Sequence, residues 1–257
     1  PYDLLGADYD LPAGRGSVRR SYVICSTPRS GSTLLAEAMH RTGQLAIPAE
    51  YLEVRAALPY LYQRWECSGF EDYVRRLHDH RTADNGLFGV KTHWHQLVQF
   101  SNMSQGAEPL ADVDYKVIVG VVNRVTPNPM FFFVTRNDKA RQAVSHWLAT
   151  KTRRWINLGD DPITEIPPYD SAGIAEFSRG IEASEAFWER FFSLAQIEPL
   201  RIVYEELVAA YADTVRQAAQ HLGVDPTGLV VPPPRMQRQS NELSIEYADR
   251  YRRELSR

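Results

Sequence analysis

Eight consecutive residues, Ser26-Thr27-Pro28-Arg29-Ser30-Gly31-Ser32-Thr33, crowd hydroxyls, a glycine and one guanidinium between a β-rich run and a helical pattern. A turn of this kind aims backbone N–H groups and the positive end of the following helix at one point, which suits an anion. Laid over the phosphate-binding pattern G-x-x-x-x-G-K-[ST], Ser26 takes the place of the first glycine, Gly31 is the second and Thr33 supplies the hydroxyl. Ser32 stands where the lysine belongs, and the cation is found instead at Arg29, inside the loop. Phosphoryl transfer sets several positive charges, including Mg²⁺ and the loop lysine, against a γ-phosphate. A sulfuryl group carries about one negative charge fewer, so backbone dipoles, hydroxyls and one or two cations suffice for its transfer. The loop therefore favours a phosphosulfate over a triphosphate. The plainer alternative is a strand-turn-helix in which Ser32 is only a cap.

A second anchor lies in TRNDKARQAVSHW. Arg136 ends an apolar run, and Ser145 follows nine residues later within a helical pattern. A guanidinium there can meet a phosphate with two parallel hydrogen bonds and a helix hydroxyl can add a third, although strand-end arginines also pair with local carboxylates.

The elements that must hold these groups are legible as alternating runs. Residues 22–26, 87–92 (LFGVKT), 130–135 (MFFFVT) and 200–204 read as strands, with a short extended piece over 45–47 that stops at Pro48. Helical spacing is expected over 32–41, ending at Gly43, and over 70–81, 139–151, 172–195 and 205–221. Residues 115–125 (YKVIVGVVNRV) stay ambiguous: their β-branched content says strand, while Ile118, Val121, Val122 and Val125 share a helical face. Strands that are apolar runs separated by helices indicate an α/β fold, a single domain with a parallel sheet of four to five strands covered on both faces. Residues 1–19 read as a loose arm, 153–170 as a long polar loop suited to a lid, and the Pro-rich 230–234 as a link to a tail too short for a domain.

Composition narrows the partners. A net charge of −3 offers no global basic field for nucleic acid, so any anion site must be local. No run reaches the roughly 20 apolar residues of a membrane span. The first residues lack a basic stretch followed by an apolar one, so no signal peptide is expected. Two cysteines, Cys25 and Cys67, make no disulfide framework and fit a reducing, cytoplasmic setting. Homo-oligomerisation is left open.

Taken together, STPRSGST after a strand, FGVKTHW on the next and VTRNDKARQAVSHW on a later one resemble the sulfotransferases that use 3′-phosphoadenosine-5′-phosphosulfate (PAPS). The likeness is greatest to the bacterial trehalose 2-sulfotransferase-like, Stf0-type branch. That branch shares the RSGST loop, the Pro48-Ala49-Glu50-Tyr51 segment, a Gly-x-Lys-x-x-Trp strand end, and a late Arg238-Gln239 before the tail EYADRYRREL. The resemblance runs over about residues 21–253. It implies a P-loop-like sulfotransferase fold, metal-free sulfuryl transfer to a hydroxyl of a sugar, glycolipid or natural product, and adenosine 3′,5′-bisphosphate as product. By position, Pro28, Arg29, Ser30, Gly31, Ser32 and Thr33 would hold the 5′-phosphosulfate. Arg136 and Ser145 would hold the 3′-phosphate, and Arg238, in a C-terminal segment over 230–257, would close over the nucleotide.

An acceptor hydroxyl must lose its proton as it attacks sulfur, so a base is needed within hydrogen-bond reach. Glu50 matches the carboxylate given this role in the trehalose-type branch, and the flanking sequence favours it. His93 matches the Lys-Thr-His base of the animal cytosolic enzymes, a departure from the trehalose-type pattern, and the choice stays open. Lys91, at the same strand end, could neutralise the leaving phosphate. Tyr51, Tyr60, Tyr62, Trp65, Trp94, Trp147 and Trp155 are candidate walls for an acceptor, or equally core. The rival readings are a nucleotide kinase, which would want the loop lysine and a metal-holding carboxylate, and a non-catalytic nucleotide-binding module.

Overall fold

The computed structural model describes residues 4–12, 17–108, 114–155, 167–236 and 242–256. Strands β1 (Arg20–Ser26), β2 (Leu87–His93), β3 (Pro129–Thr135) and β4 (Leu200–Val203) form one parallel sheet in the order β2-β1-β3-β4. Side chains alternate across it: Val23, Cys25, Phe131 and Phe133 enter one core, while Tyr22, Ile24, Phe132 and Val134 enter the other. Both faces are buried, which is why these strands are continuous apolar runs rather than alternating ones.

A short 3-10 helix (Ala7–Tyr9) and helices α1 (Ser32–Arg41), α2 (Ala57–Arg64), α3 (Phe70–Arg81), α4 (Trp94–Ser104), α5 (Tyr115–Val125), α6 (Lys139–Thr152), α7 (Ser171–Leu194), α8 (Tyr204–Ala209), α9 (Tyr211–His221) and α10 (Glu242–Leu255) complete the described elements. Leu77, Leu97, Val121 and Trp188 bring α3, α4, α5 and α7 to the first core, and Leu35, Leu207 and Val215 bring α1, α8 and α9 to the second. A third apolar cluster joins α6, α7 and α10 through Val144, Trp147, Ile174 and Tyr251.

Several expectations change. The ambiguous segment is the helix α5: Ile118, Val121, Val122 and Val125 are its buried residues, and the Asp114 carboxylate caps it by accepting from the Lys116 N–H. One buried face at helical spacing outweighs the small helix penalty of β-branched residues. The expected extended piece over 45–47 is no strand. Ala46 has a φ of 62°, and only Ala49 bridges β2, at Val90. The single helix expected over 205–221 breaks at Ala210 into α8 and α9. Helices α2, α4 and α10 are additions.

The N-terminal arm, read as loose, is tied down along its described part. Fully buried Arg81 donates to the carbonyls of Leu4 and Tyr9 and pairs with Asp10, which also holds Arg64. At the other end of the chain, residues 230–236 run beside α1, where the Arg235 Nε lies 2.6 Å from the buried Glu37 carboxylate and Arg41 donates to the Pro233 carbonyl.

Parallel pairing puts every strand's C-terminal end at one edge. Ser26 is in register with His93 and with Val134, and Thr135 with Val203. The loop, His93, Arg136 and Tyr204 therefore leave the sheet on the same side. Because β2 and β3 flank β1 on opposite sides, the chain reverses direction there, which is where open α/β sheets bind ligands.

Candidate active site

The loop between β1 and α1 is held in an unusual backbone. Arg29 has a φ of 64° and Gly31 a φ of 91°. For a non-glycine residue such as Arg29 the left-handed region costs on the order of 1 kcal/mol, so the surroundings must fix it. Gly31 is demanded twice, by its φ and because a Cβ there would stand 2.5 Å from the Tyr204 ring. No side chain caps α1, whose N-cap is Gly31, so the first backbone N–H groups of the helix point to the loop without a side-chain acceptor. Ser30 is wholly buried, and its hydroxyl has no hydrogen-bond partner among the described residues.

Three side chains missing from the sequence reading fix the loop. The Gln142 amide of α6 donates to Thr27 Oγ1 (2.8 Å) and to the Pro28 carbonyl (2.9 Å). The Trp188 indole of α7 donates to the Ser26 carbonyl at 3.0 Å. Tyr204, at the start of α8, packs against Gly31 and also meets the Arg136 guanidinium over its ring, 4.6 Å from ring centre to Cζ. Of these, Gln142 alone left a trace in sequence, three residues before Ser145 on one helix face.

Ser145 is brought to Arg29, whose Nε donates to Ser145 Oγ at 2.9 Å while Nη1 reaches the Trp155 carbonyl at 2.5 Å. Burial first, then the charge of Arg136, pushes the Arg29 guanidinium down to about 10. Arg136 is 13% exposed; its Nε has no hydrogen-bond partner among the described residues, and Glu205 Oε1 is 3.9 Å away. Two mostly buried guanidiniums that disfavour each other's charge make a site that an anion would stabilise. Arg238 lies outside the described residues.

The second half of the site is the end of β2. Lys91 Nζ donates to Glu50 Oε1 at 2.5 Å and to Thr33 Oγ1 at 2.9 Å, linking the loop helix to the carboxylate. Glu50 Oε2 accepts from the Gln96 amide at 2.7 Å. Burial alone would raise the Glu50 carboxyl; the charge of Lys91, that of His93 once it is protonated in acid, and the bonds from Lys91 and Gln96 outweigh it and hold the carboxyl well below the usual range. Gln96 is itself fixed, since its Oε1 accepts from the His93 N–H at 3.0 Å as part of a capping box for α4. With that oxygen committed, its NH₂ must face Glu50. The three-residue spacing from His93 to Gln96 was the overlooked sequence signal.

His93 is buried, and its Nδ1 lies 3.2 Å from the Ser26 carbonyl oxygen. Ser26 Oγ, 3.1 Å from the same nitrogen, has its own proton directed at the Thr92 carbonyl, and a carbonyl only accepts, so the proton sits on Nδ1 and Nε2 is bare, 3.6 Å from Glu50 Oε1. Desolvation pushes this imidazole down to about 4, with Glu50 pulling the other way and Lys91 and His95 adding to the fall. It is neutral above that pH, with an accepting nitrogen beside the carboxylate.

The aromatic residues divide. Tyr51, Trp65, Trp94 and Trp147 are buried and serve the core, whereas Tyr60 and Trp155 are 44% and 48% exposed. Residues 156–166, the centre of the expected lid, lie outside the described residues. Among the described residues no cluster of three or more His, Cys, Asp or Glu could hold a metal ion, and no helix is long and apolar enough to cross a membrane.

Comparison with known proteins adds a family. The model of the Stf0 sulphotransferase family matches residues 21–254. The trehalose 2-sulfotransferase of Mycobacterium tuberculosis (strain Erdman) is 29% identical, over 93% of this chain and 96% of its own length. That of Mycolicibacterium smegmatis is 27% identical over 92% and 96%. Among solved structures, a sulfotransferase from Alicyclobacillus acidocaldarius has a TM-score of 0.50 at 13% identity, covering 93% of each chain, a likeness of fold.

Proposed function

Because the chain belongs to the Stf0 sulphotransferase family and is an enzyme of the sulfotransferase class, we propose that it moves a sulfuryl group from PAPS to a hydroxyl of a sugar or similar small molecule. Arg29, the N–H groups of residues 30–33 and Thr33 hold the 5′-phosphosulfate. Arg136 and Ser145 bind the 3′-phosphate, and Arg238 closes over the nucleotide from the C-terminal segment. The orphan Ser30 hydroxyl, the uncapped start of α1 and the paired guanidiniums fit a donor of this charge. Bound there, the donor supplies an activated sulfonate and leaves as adenosine 3′,5′-bisphosphate.

The observation that carries the reading is Lys91, which touches the loop helix and the candidate base at once. Its ammonium, together with Arg29 and main-chain dipoles, supplies the positive charge for the leaving phosphate, with no metal ion in the step. For proton removal the geometry makes the better case for His93. Both Glu50 oxygens already accept strong donors, whereas His93 Nε2 is bare. The acceptor's proton passes to Nε2 as its oxygen bonds to sulfur, and Glu50 stabilises the imidazolium 3.6 Å away. Both curated relatives are named for trehalose, which makes it the first acceptor to try.

Thermal shift with adenosine 3′,5′-bisphosphate alone, then with ATP and Mg²⁺, tests the donor site; a ligand at 100 times its Kd adds about 2.7 kcal/mol of stability. The bisphosphate is expected to stabilise without metal, and ³⁵S-labelled PAPS to label trehalose. Preference for ATP with Mg²⁺ would favour the kinase, and bisphosphate binding without transfer to any hydroxyl acceptor the non-catalytic module.

A further inference from the structure

Helix α6 presents successive residues to the site: Gln142 under the loop, Ser145 on Arg29, and His146 next to it. The His146 ring packs edge-on against Phe177 of α7 (centroids 4.5 Å, 63°) and 5.9 Å from the Trp155 ring, whose backbone carbonyl holds Arg29. Burial, then the charges of His93, Arg29 and His95, push this imidazole down to about 4, so it is neutral at pH 7, and its place beside Ser145 and Trp155, both bonded to Arg29, sets it at the loop's cation.

Its two nitrogens differ. Nδ1 is buried and has no hydrogen-bond partner among the described residues, which leaves Nε2 as the nitrogen open to solvent. A neutral imidazole carries one proton, and burying a bare acceptor costs less than burying an N–H with nothing to donate to. The proton therefore sits on Nε2. His93 has the opposite tautomer, with Nδ1–H committed to the Ser26 carbonyl and Nε2 bare. One imidazole offers an acceptor and the other a donor, the complement of two hydroxyls on one molecule.

We propose that His146 is an acceptor-specificity residue, its Nε2–H donating to the oxygen of a second hydroxyl beside the one that attacks sulfur. This rests on the reading of His93 and Glu50 as the acceptor end. Nothing in the transfer itself needs His146, so its loss changes which hydroxyl compound is taken rather than the donor site.

Steady-state transfer from labelled PAPS to trehalose and to cyclohexanol, which has one hydroxyl, tests the proposal. His146→Phe keeps the ring against Phe177 and Trp155 and removes the donor. It is expected to raise the KM for trehalose roughly 3- to 10-fold, the range for one lost hydrogen bond, with cyclohexanol and the bisphosphate Kd unchanged. His146→Leu also lacks the donor and serves if the phenylalanine variant fails to fold, whereas His146→Gln, which restores an N–H, is expected to recover the preference. A preference for trehalose that survives the loss of the donor in His146→Phe or His146→Leu, a wild type with no such preference, or an equal rise in the KM for PAPS would each overturn the proposal. A wild type that binds no bisphosphate defeats the donor-site reading instead, and one that binds it yet labels neither probe defeats the acceptor assignment of His146 and His93 alike.

Discussion

Lys91 Nζ donates to Glu50 Oε1 across 2.5 Å, joining the end of β2 to the segment that follows α1. The pair is lopsided in exposure, with 6% of the lysine side chain accessible and 32% of the glutamate. The lysine charge is thus held inside the protein, while the carboxylate keeps an exposed side.

Lys91→Met should raise the Glu50 carboxyl toward its ordinary range, because the largest opposing charge is gone. Leaving the carboxylate unpaired should cost about 1–3 kcal/mol, below the value for a fully buried pair since Glu50 is partly exposed. Turnover should fall about 10²- to 10³-fold. Urea unfolding and kcat check both parts; an unchanged kcat would show that Lys91 does not meet the leaving group.

Glu50→Gln and His93→Ala separate the two candidate bases. His93→Ala should lower kcat by about 10²- to 10⁴-fold with bisphosphate affinity intact, and Glu50→Gln should cost less, since the amide withdraws only the stabilising charge. The reverse order of the two losses would return the role of base to Glu50.

Gln96→Leu removes the donor to Glu50 Oε2 and the acceptor for the His93 N–H together. A drop in kcat of roughly tenfold is expected, consistent with one lost hydrogen bond to a charged group, with adenosine 3′,5′-bisphosphate binding the same by calorimetry. A variant that loses bisphosphate affinity and keeps its kcat would contradict this positioning role.

Gly31→Ala combines a left-handed φ of 91° with a Cβ 2.5 Å from Tyr204 Cδ2. Tyr204 must then move, and with it the ring beneath Arg136. Destabilisation of about 1–3 kcal/mol is expected, along with loss of bisphosphate binding. Wild-type affinity in the alanine variant would place the anion away from this loop.

Acid should weaken the fold before the carboxylates titrate. His93 and His146 fall from 6.5 to about 4 on folding, with desolvation the leading cause in each. Between those values the unfolded chain binds protons that the native chain refuses, so stability falls as pH falls, by about 2.7 kcal/mol per unit for the two sites together. His40, His78, His95 and His221 shift in the same direction. Urea titrations at pH 7, 5.5 and 4.5 measure the slope, and His93→Gln combined with His146→Phe should flatten it; equal stability at all three values in the wild type would refute the neutral, buried state of these imidazoles.

The sequence by itself determined the parallel sheet and the turn between β1 and α1, because both rest on local information. Apolar runs declare strands buried on two faces, and Pro-Arg-Ser-Gly-Ser-Thr declares a tight turn leading into a helix. Helix α5 was undecided because its residues carry strand propensity and helical spacing at once, and only a neighbouring core could select the buried face. What the tertiary structure alone decided was partnership. That Lys91 reaches both Thr33 and Glu50, that Tyr204 meets both Gly31 and Arg136, and that the Nδ1 of His93 has a partner while that of His146 has none among the described residues all depend on strand ends and helix faces far apart in the chain. Hydrogen-bond direction and desolvation are set by what packs against a group, and a linear sequence does not specify that.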